Sequence, residues 1–227
     1  MHIGILQTGH SPDVIRNRLG DVDQLFRDLL EPNGFNCTTW AVVDGDFPPS
    51  PESADGWVIT GSRHGVYEDH AWIAPLEQFV RDTVQAKVPM VGICFGHQIM
   101  AQALGGRVEK FNGGWTVGAQ NYSFGDDDFL LAAWHQDQVV DLPAGAQVVS
   151  QTDTCAFAAL SYGDHAYSVQ FHPEFDSAFL RELVEHRGPG VVPELRLEKA
   201  RRDLALTLDG KRFGEKMAAF FRAGAHG

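Results

Sequence analysis

The chain has 227 residues with a net charge of −12, and hydrophobic residues make up 44% of it, enough for a full core in one large domain or two small ones. The acidic balance argues against a nucleic-acid partner, whose phosphates such a surface repels. The start at Met1 carries no basic leader, and no apolar stretch approaches the roughly 20 residues of a membrane span, so a non-membrane, cytoplasmic protein is expected.

Residues 2–6 read as a first strand, and Ser11-Pro12-Asp13 supplies a helix start with Ser11 as its cap. Val22, Leu25, Phe26, Leu29 and Leu30 recur at helical spacing until Pro32-Asn33-Gly34 ends the run. Residues 35–43 form a second strand, 44–55 a polar, proline-rich loop, and 57–60 a third strand that runs into Gly61-Ser62-Arg63-His64-Gly65. Ile73, Leu76, Phe79, Val80 and Val84 give another amphipathic helix. Strands alternating with helices predict a doubly wound, mostly parallel sheet in a three-layer αβα arrangement, with ligands beyond the carboxyl ends of the strands.

Residues 88–93 read as a buried strand, after which Ile99, Met100, Ala103 and Leu104 take up helical spacing until Gly105 and Gly106, expected as left-handed stops. Cys94 therefore falls on a strand-to-helix corner, flanked by Gly92 and Gly96. That is the thiol counterpart of the nucleophile elbow, in which a Cβ at either glycine would collide with its surroundings. A helix N-terminus favours thiolate over thiol, and the free N–H of Phe95 points into the same space. Cys37 and Cys155 read as plain buried residues. Three widely spaced cysteines make neither a disulfide framework nor a C-x-x-C metal site.

Beyond Gly106 the pattern changes. Runs at 107–111, 115–124, 129–134, 147–151, 156–161 and 166–171 predict antiparallel hairpins added to the parallel core. Asp126-Asp127-Asp128 reads as a solvated turn. Phe179, Leu180, Leu183 and Val184 restore helical spacing, and a charged segment from Glu194 to Ala225 predicts two helices broken at Asp209-Gly210. The last strand ends in His172-Pro173-Glu174, and residues two apart share a side, so Glu174 can hold the imidazole while His172 acts as base and then acid toward a thiol. None of the other histidines, among them His64, His70, His97 and His135, has a familiar ligand spacing; they read as surface residues, and no metal or other cofactor is expected.

Gly92-Ile-Cys-Phe-Gly-His-Gln98 together with Gln170-Phe-His-Pro-Glu174 resembles the class I glutamine amidotransferase family, over roughly residues 2–187. The resemblance implies a flavodoxin-like fold, with residues 1–227 as one domain of core 2–187 and a helical extension at 188–227. It also implies a Cys94-His172-Glu174 triad that splits the side-chain amide of glutamine. Gly61 and Phe95 match the oxyanion donors and Gln98 a glutamine-contacting position. Trp134-His135-Gln136-Asp137 matches the segment whose backbone holds the amino-acid end of the substrate.

The chain departs from many members in carrying Ser62 to Asp69 where a proline is common. With His135-Gln136-Asp137 and Tyr162-Gly163-Asp164-His165, it looks more like stand-alone, GMP-synthase-like members, some of which hydrolyse γ-glutamyl peptides. The implied substrate is glutamine or another γ-glutamyl small molecule. No synthetase domain is expected on this chain, so a separate synthetase subunit is the implied ammonia acceptor. A non-catalytic regulatory domain is the expectation of another class.

Overall fold

The computed structural model describes residues 1–224. The short apolar runs of the first half become β1 (His2–Leu6), β2 (Asn36–Trp40), β3 (Gly56–Ile59) and β4 (Met90–Ile93). Between them lie helices α1 (Asp13–Leu19), α2 (Val22–Leu30) and α3 (Ile73–Gln85). Helix α4 (Phe95–Ala103) follows β4 directly. The second half holds β5 (Arg107–Lys110), β6 (Thr116–Phe124), β7 (Asp127–His135), β8 (Asp137–Asp141), β9 (Gln147–Thr152), β10 (Cys155–Ser161) and β11 (Ala166–Val169). Helices α5 (Ser177–His186), α6 (Glu194–Asp203) and α7 (Gly210–Gly224) close the described chain.

Seven strands make one sheet in the order β2-β1-β3-β4-β11-β10-β9. The first five are mutually parallel, and β10 and β9 extend the sheet in antiparallel pairing. The parallel part follows the doubly wound order of flavodoxin-like folds. Its central strands are buried on both faces, and their side chains alternate between two cores. Ile3, Ile5 and Val58 join Phe26, Phe213, Met217 and Phe221 on one side. Leu6, Trp57 and Ile59 join Leu76, Val80, Ile99 and Met100 on the other. Helix α7, outside the span of the resemblance, thus fills the same core as the first strand.

Several sequence expectations change in the structure. The run at 166–171 forms the expected antiparallel hairpin with β10, but its other edge lies parallel to β4, inside the main sheet, and the strand stops at Val169. Residues 107–111 pair with β8, an element not foreseen, rather than with their sequence neighbours, while β6 and β7 form the expected hairpin. Helix α1 begins at Asp13 with Pro12 in the cap position, and Ser11 makes no cap. Of the two glycines after α4, only Gly105 is left-handed. Gly106 is required by close approach, since a Cβ there would lie 2.7 Å from the Asp141 carbonyl. Asp127 and Asp128 open β7 instead of sitting in a turn. The break between α6 and α7 spans residues 204–209, and the expected limit at Ala225 lies outside the described residues. Among the described residues no helix is long and apolar enough to cross a membrane.

Candidate active site

The carboxyl ends of β1, β3, β4 and β11 converge on one rim, and each delivers a loop to it. Cys94 sits between β4 and α4 with φ 52° and ψ −97°, one of two non-glycine residues of positive φ in the described chain. Such a backbone costs an L-residue roughly 1–3 kcal/mol and persists only where packing imposes it. The imposition is visible: a Cβ on Gly96 would meet the Ile59 carbonyl at 2.4 Å, and one on Gly92 the Gly96 carbonyl at 2.5 Å. The Cys94 N–H donates to Val169 O at 2.8 Å, tying the corner to β11. As the first residue of α4, Phe95 has an N–H with no acceptor inside the helix.

His172 lies past the end of β11, where its N–H donates to Ala132 O (2.9 Å) and its ring stacks on Phe175 at 4.0 Å. The residue is 4% exposed, and its ring Nδ1 lies 2.7 Å from Glu174 Oε1, which leaves the opposite nitrogen for the Cys94 thiol. Burial alone lowers the imidazole pKa, but the Glu174 carboxylate and the Cys94 sulfur outweigh it and hold it well above the usual histidine range. Gly61 completes the contact: a Cβ there would stand 3.0 Å from His172 Cε1 and 3.8 Å from Cys94 Cβ. Cys94, His172, Glu174 and Gly61 thus share one wall.

The expected substrate residues lie next to this wall. Two hollows meet at Cys94. One is lined by Gln98, Trp134, His135, Gln136 and Asp137. The other holds His172 and Glu174 with Val22, Phe175, Phe179 and Leu183. Gln98 is itself engaged: its Nε2 donates to Asp137 O at 2.8 Å and to Gln170 Oε1 at 3.1 Å. The Gln136 carbonyl accepts from Phe111 N (3.3 Å), so part of the segment's backbone is turned into the protein. His97 and His135 are buried, contrary to the surface reading, and burial pushes them down to about 4 and about 3, so both are neutral. His97 Nδ1 meets Ser168 Oγ at 2.7 Å, anchoring α4 to β11.

Three residues at the site were not assigned a role from sequence. Gln170 Nε2 points at Cys94 Sγ at 3.6 Å, and period-two alternation with His172 was the signal that could have placed it. Arg63 and Arg187 line both hollows. Burial and the charge of Arg63 pull the Arg187 pKa down, and Cys94 acts against them. Arg187 lies at the end of α5, where no spacing links it to the motifs.

Residues 33–183 match the family model described as glutamine amidotransferase class-I. Gamma-glutamyl peptidase 3 of Arabidopsis thaliana is 28% identical over 190 residues, covering 76% of each chain. GMP synthase (glutamine-hydrolyzing) of Vibrio vulnificus is 36% identical over 160 residues, 66% of this chain but only 30% of that enzyme. Among solved structures, a glutamine amidotransferase from Methylobacillus flagellatus superposes with a TM-score of 0.76 at 20% identity, covering 99% of this chain and 94% of that one. One from Thermotoga maritima gives 0.71 at 21%, covering 99% and 96%. These two likenesses bear on the fold.

Proposed function

Because the chain belongs to the class-I glutamine amidotransferase family, we propose that it hydrolyses γ-glutamyl amide bonds through a thioester on Cys94. One observation carries the reading: a thiol on a left-handed corner faces a buried imidazole whose far nitrogen is held by a carboxylate at 2.7 Å. The Cys94 sulfur attacks the γ-carbonyl carbon, and the N–H groups of Phe95 and Gly61 receive the oxyanion. His172 takes the thiol proton and hands it to the departing nitrogen as the C–N bond breaks. A water then adds to the thioester carbon, giving its proton to His172, and the carbon–sulfur bond breaks to release glutamate. Glu174 keeps the ring in one orientation throughout, and Gln98 braces the opposite wall through Gln170. A cytoplasmic setting, where thiols stay reduced, suits such a nucleophile.

With free glutamine as substrate the first product is ammonia, passed to a synthetase on another chain. A second reading, a γ-glutamyl peptide, is favoured by the hollow on the imidazole side. The nitrogen protonated by His172 leaves toward Val22, Phe175, Phe179 and Leu183, with Arg63 and Arg187 at the edge. Ammonia gains nothing from an apolar wall, whereas an amino acid or peptide carrying its own carboxylate does. The relative named gamma-glutamyl peptidase matches this chain over three quarters of both lengths.

The test is a panel of free glutamine and γ-glutamyl dipeptides with glutamate and amine release measured separately. Cys94→Ala, which fits the corner, is expected to abolish release from every substrate while leaving thermal unfolding close to that of the parent. Undiminished release by the folded variant would end the proposal.

A further inference from the structure

The loop from β3 to α3 brings together His64 and His70, which lack a familiar ligand spacing in the sequence, with Glu68. His64 and His70 converge on Glu68: His64 Nδ1 lies 3.2 Å and His70 Nε2 2.8 Å from the same oxygen, Oε2. The three ligand atoms all fall within 4.8 Å of one another, and among the described residues this is the group of three or more such side chains that does so. We propose that His64, Glu68 and His70 form a binding site for a divalent transition-metal ion of the zinc class, with water in the fourth position.

The distances support the assignment. Zinc binds nitrogen and carboxylate oxygen near 2.0–2.2 Å in tetrahedral sites, which puts neighbouring donor atoms about 3.3 Å apart. The two edges that meet at Glu68 are already close to that length. A carboxylate only accepts hydrogen bonds, so each ring now turns a protonated nitrogen toward Oε2. One divalent cation in place of those two protons would keep the same three atoms at the same corner. Two imidazoles and one carboxylate are a borderline donor set that suits zinc better than magnesium or calcium.

The rings are also held in place before any ion arrives. His70 stacks on Trp72 with an interplanar angle of 10° and a centroid distance of 5.9 Å, and His64 meets both rings edge-on at 4.2 and 6.0 Å. Trp72 is buried and leans on Phe95, the neighbour of Cys94, at 5.4 Å. His64 and Glu68 line the hollow that contains Cys94 and Gln98. An ion here would sit at the mouth of the candidate active site and brace the loop that carries Gly61. One contact opposes it. Arg63 Nε approaches His64 Nε2 at 3.5 Å, and the ring proton must move to that nitrogen when Nδ1 takes the metal.

Calorimetric titration of the full-length Cys94→Ala protein with zinc chloride tests this, since that background removes the thiol as a competing ligand. One saturable ion per chain is expected. His64→Gln, Glu68→Gln and His70→Gln should each weaken it roughly 10- to 100-fold or more, whereas Arg63→Ala should leave the affinity equal or higher. Anomalous scattering at the zinc edge from soaked crystals should place the ion among the three side chains. Absence of saturable binding, undiminished binding in the His64→Gln/His70→Gln double variant, or an anomalous peak on other residues would overturn the assignment.

Discussion

His172 gains its character from three neighbours, and each can be removed separately. Its pKa lies above 6.5 because Glu174 and Cys94 outweigh burial. A raised imidazole pKa adds stability that is fully present below the unfolded value and is lost as pH rises through the folded value. Glu174→Gln should therefore move the ring's titration to lower pH, read by NMR of labelled histidine, and flatten that high-pH loss of stability. The same variant is expected to lose roughly 10²- to 10⁴-fold in kcat, because the ring is no longer held. Gly61→Ala sets a methyl 3.0 Å from His172 Cε1. It should lower kcat by about tenfold or more through a displacement of a few tenths of an ångström, with a smaller change in KM; an unaltered kcat would mean that the ring has room to spare. Cys94, His172 and Glu174 were legible because each lies in a short motif whose geometry is local. The burial of His97 and His135 was not, since it depends on which strands later cover them.

Among the elements, α2 and α7 show how the rim is held. Asp21 caps α2 through Val22 N (2.8 Å), and also binds Ser11 N (2.7 Å) and His10 Nδ1 (2.7 Å), while His10 Nε2 reaches Asp44 at 2.9 Å. Burial opposes both charges, yet these bonds lower the Asp21 pKa below 3.8 and raise that of His10 above 6.5. The carboxylate's contribution is lost as pH falls through its lowered value, and the imidazole's as pH rises through its raised one. The knot is strongest between them. Asp21→Ala should cost about 0.5–2 kcal/mol in urea denaturation there, with the difference from the parent shrinking at either extreme.

Asp209 performs a similar task before α7, exchanging two 2.8 Å bonds with Leu130 on β7, and Gly210 packs against the Pro173 carbonyl beside His172. Asp209→Ala should lower both stability and activity, the second because it loosens the segment that carries the imidazole. Amphipathic spacing exposed the helices in the sequence, as α2 and α3 show. The partner of β5 and the parallel pairing of β11 with β4 were not legible, because pairing across a sheet depends on contacts far apart in sequence.

For the molecule as a whole, a net charge of −12 makes Arg63 and Arg187 conspicuous beside the nucleophile. If the leaving amine carries a carboxylate, Arg187→Ala should raise KM for γ-glutamyl dipeptides while changing that for free glutamine little, a contrast that steady-state kinetics on both substrates reads directly. The parallel core was legible from alternating strands and helices in the first half. The two hollows were not, because one arises where α5 meets the loops after β1 and β3, and the other where the β3 loop meets Trp115 and residues 134–137, in three dimensions.

The most direct measurement is labelling with the chloromethyl ketone analogue of glutamine, followed by peptide mapping. One label per chain on Cys94, loss of hydrolysis in proportion to labelling, and protection by substrate are the expected results. Hydrolysis that survives complete labelling of Cys94, or inactivation with the label on another residue, would contradict the assignment of this thiol as the nucleophile.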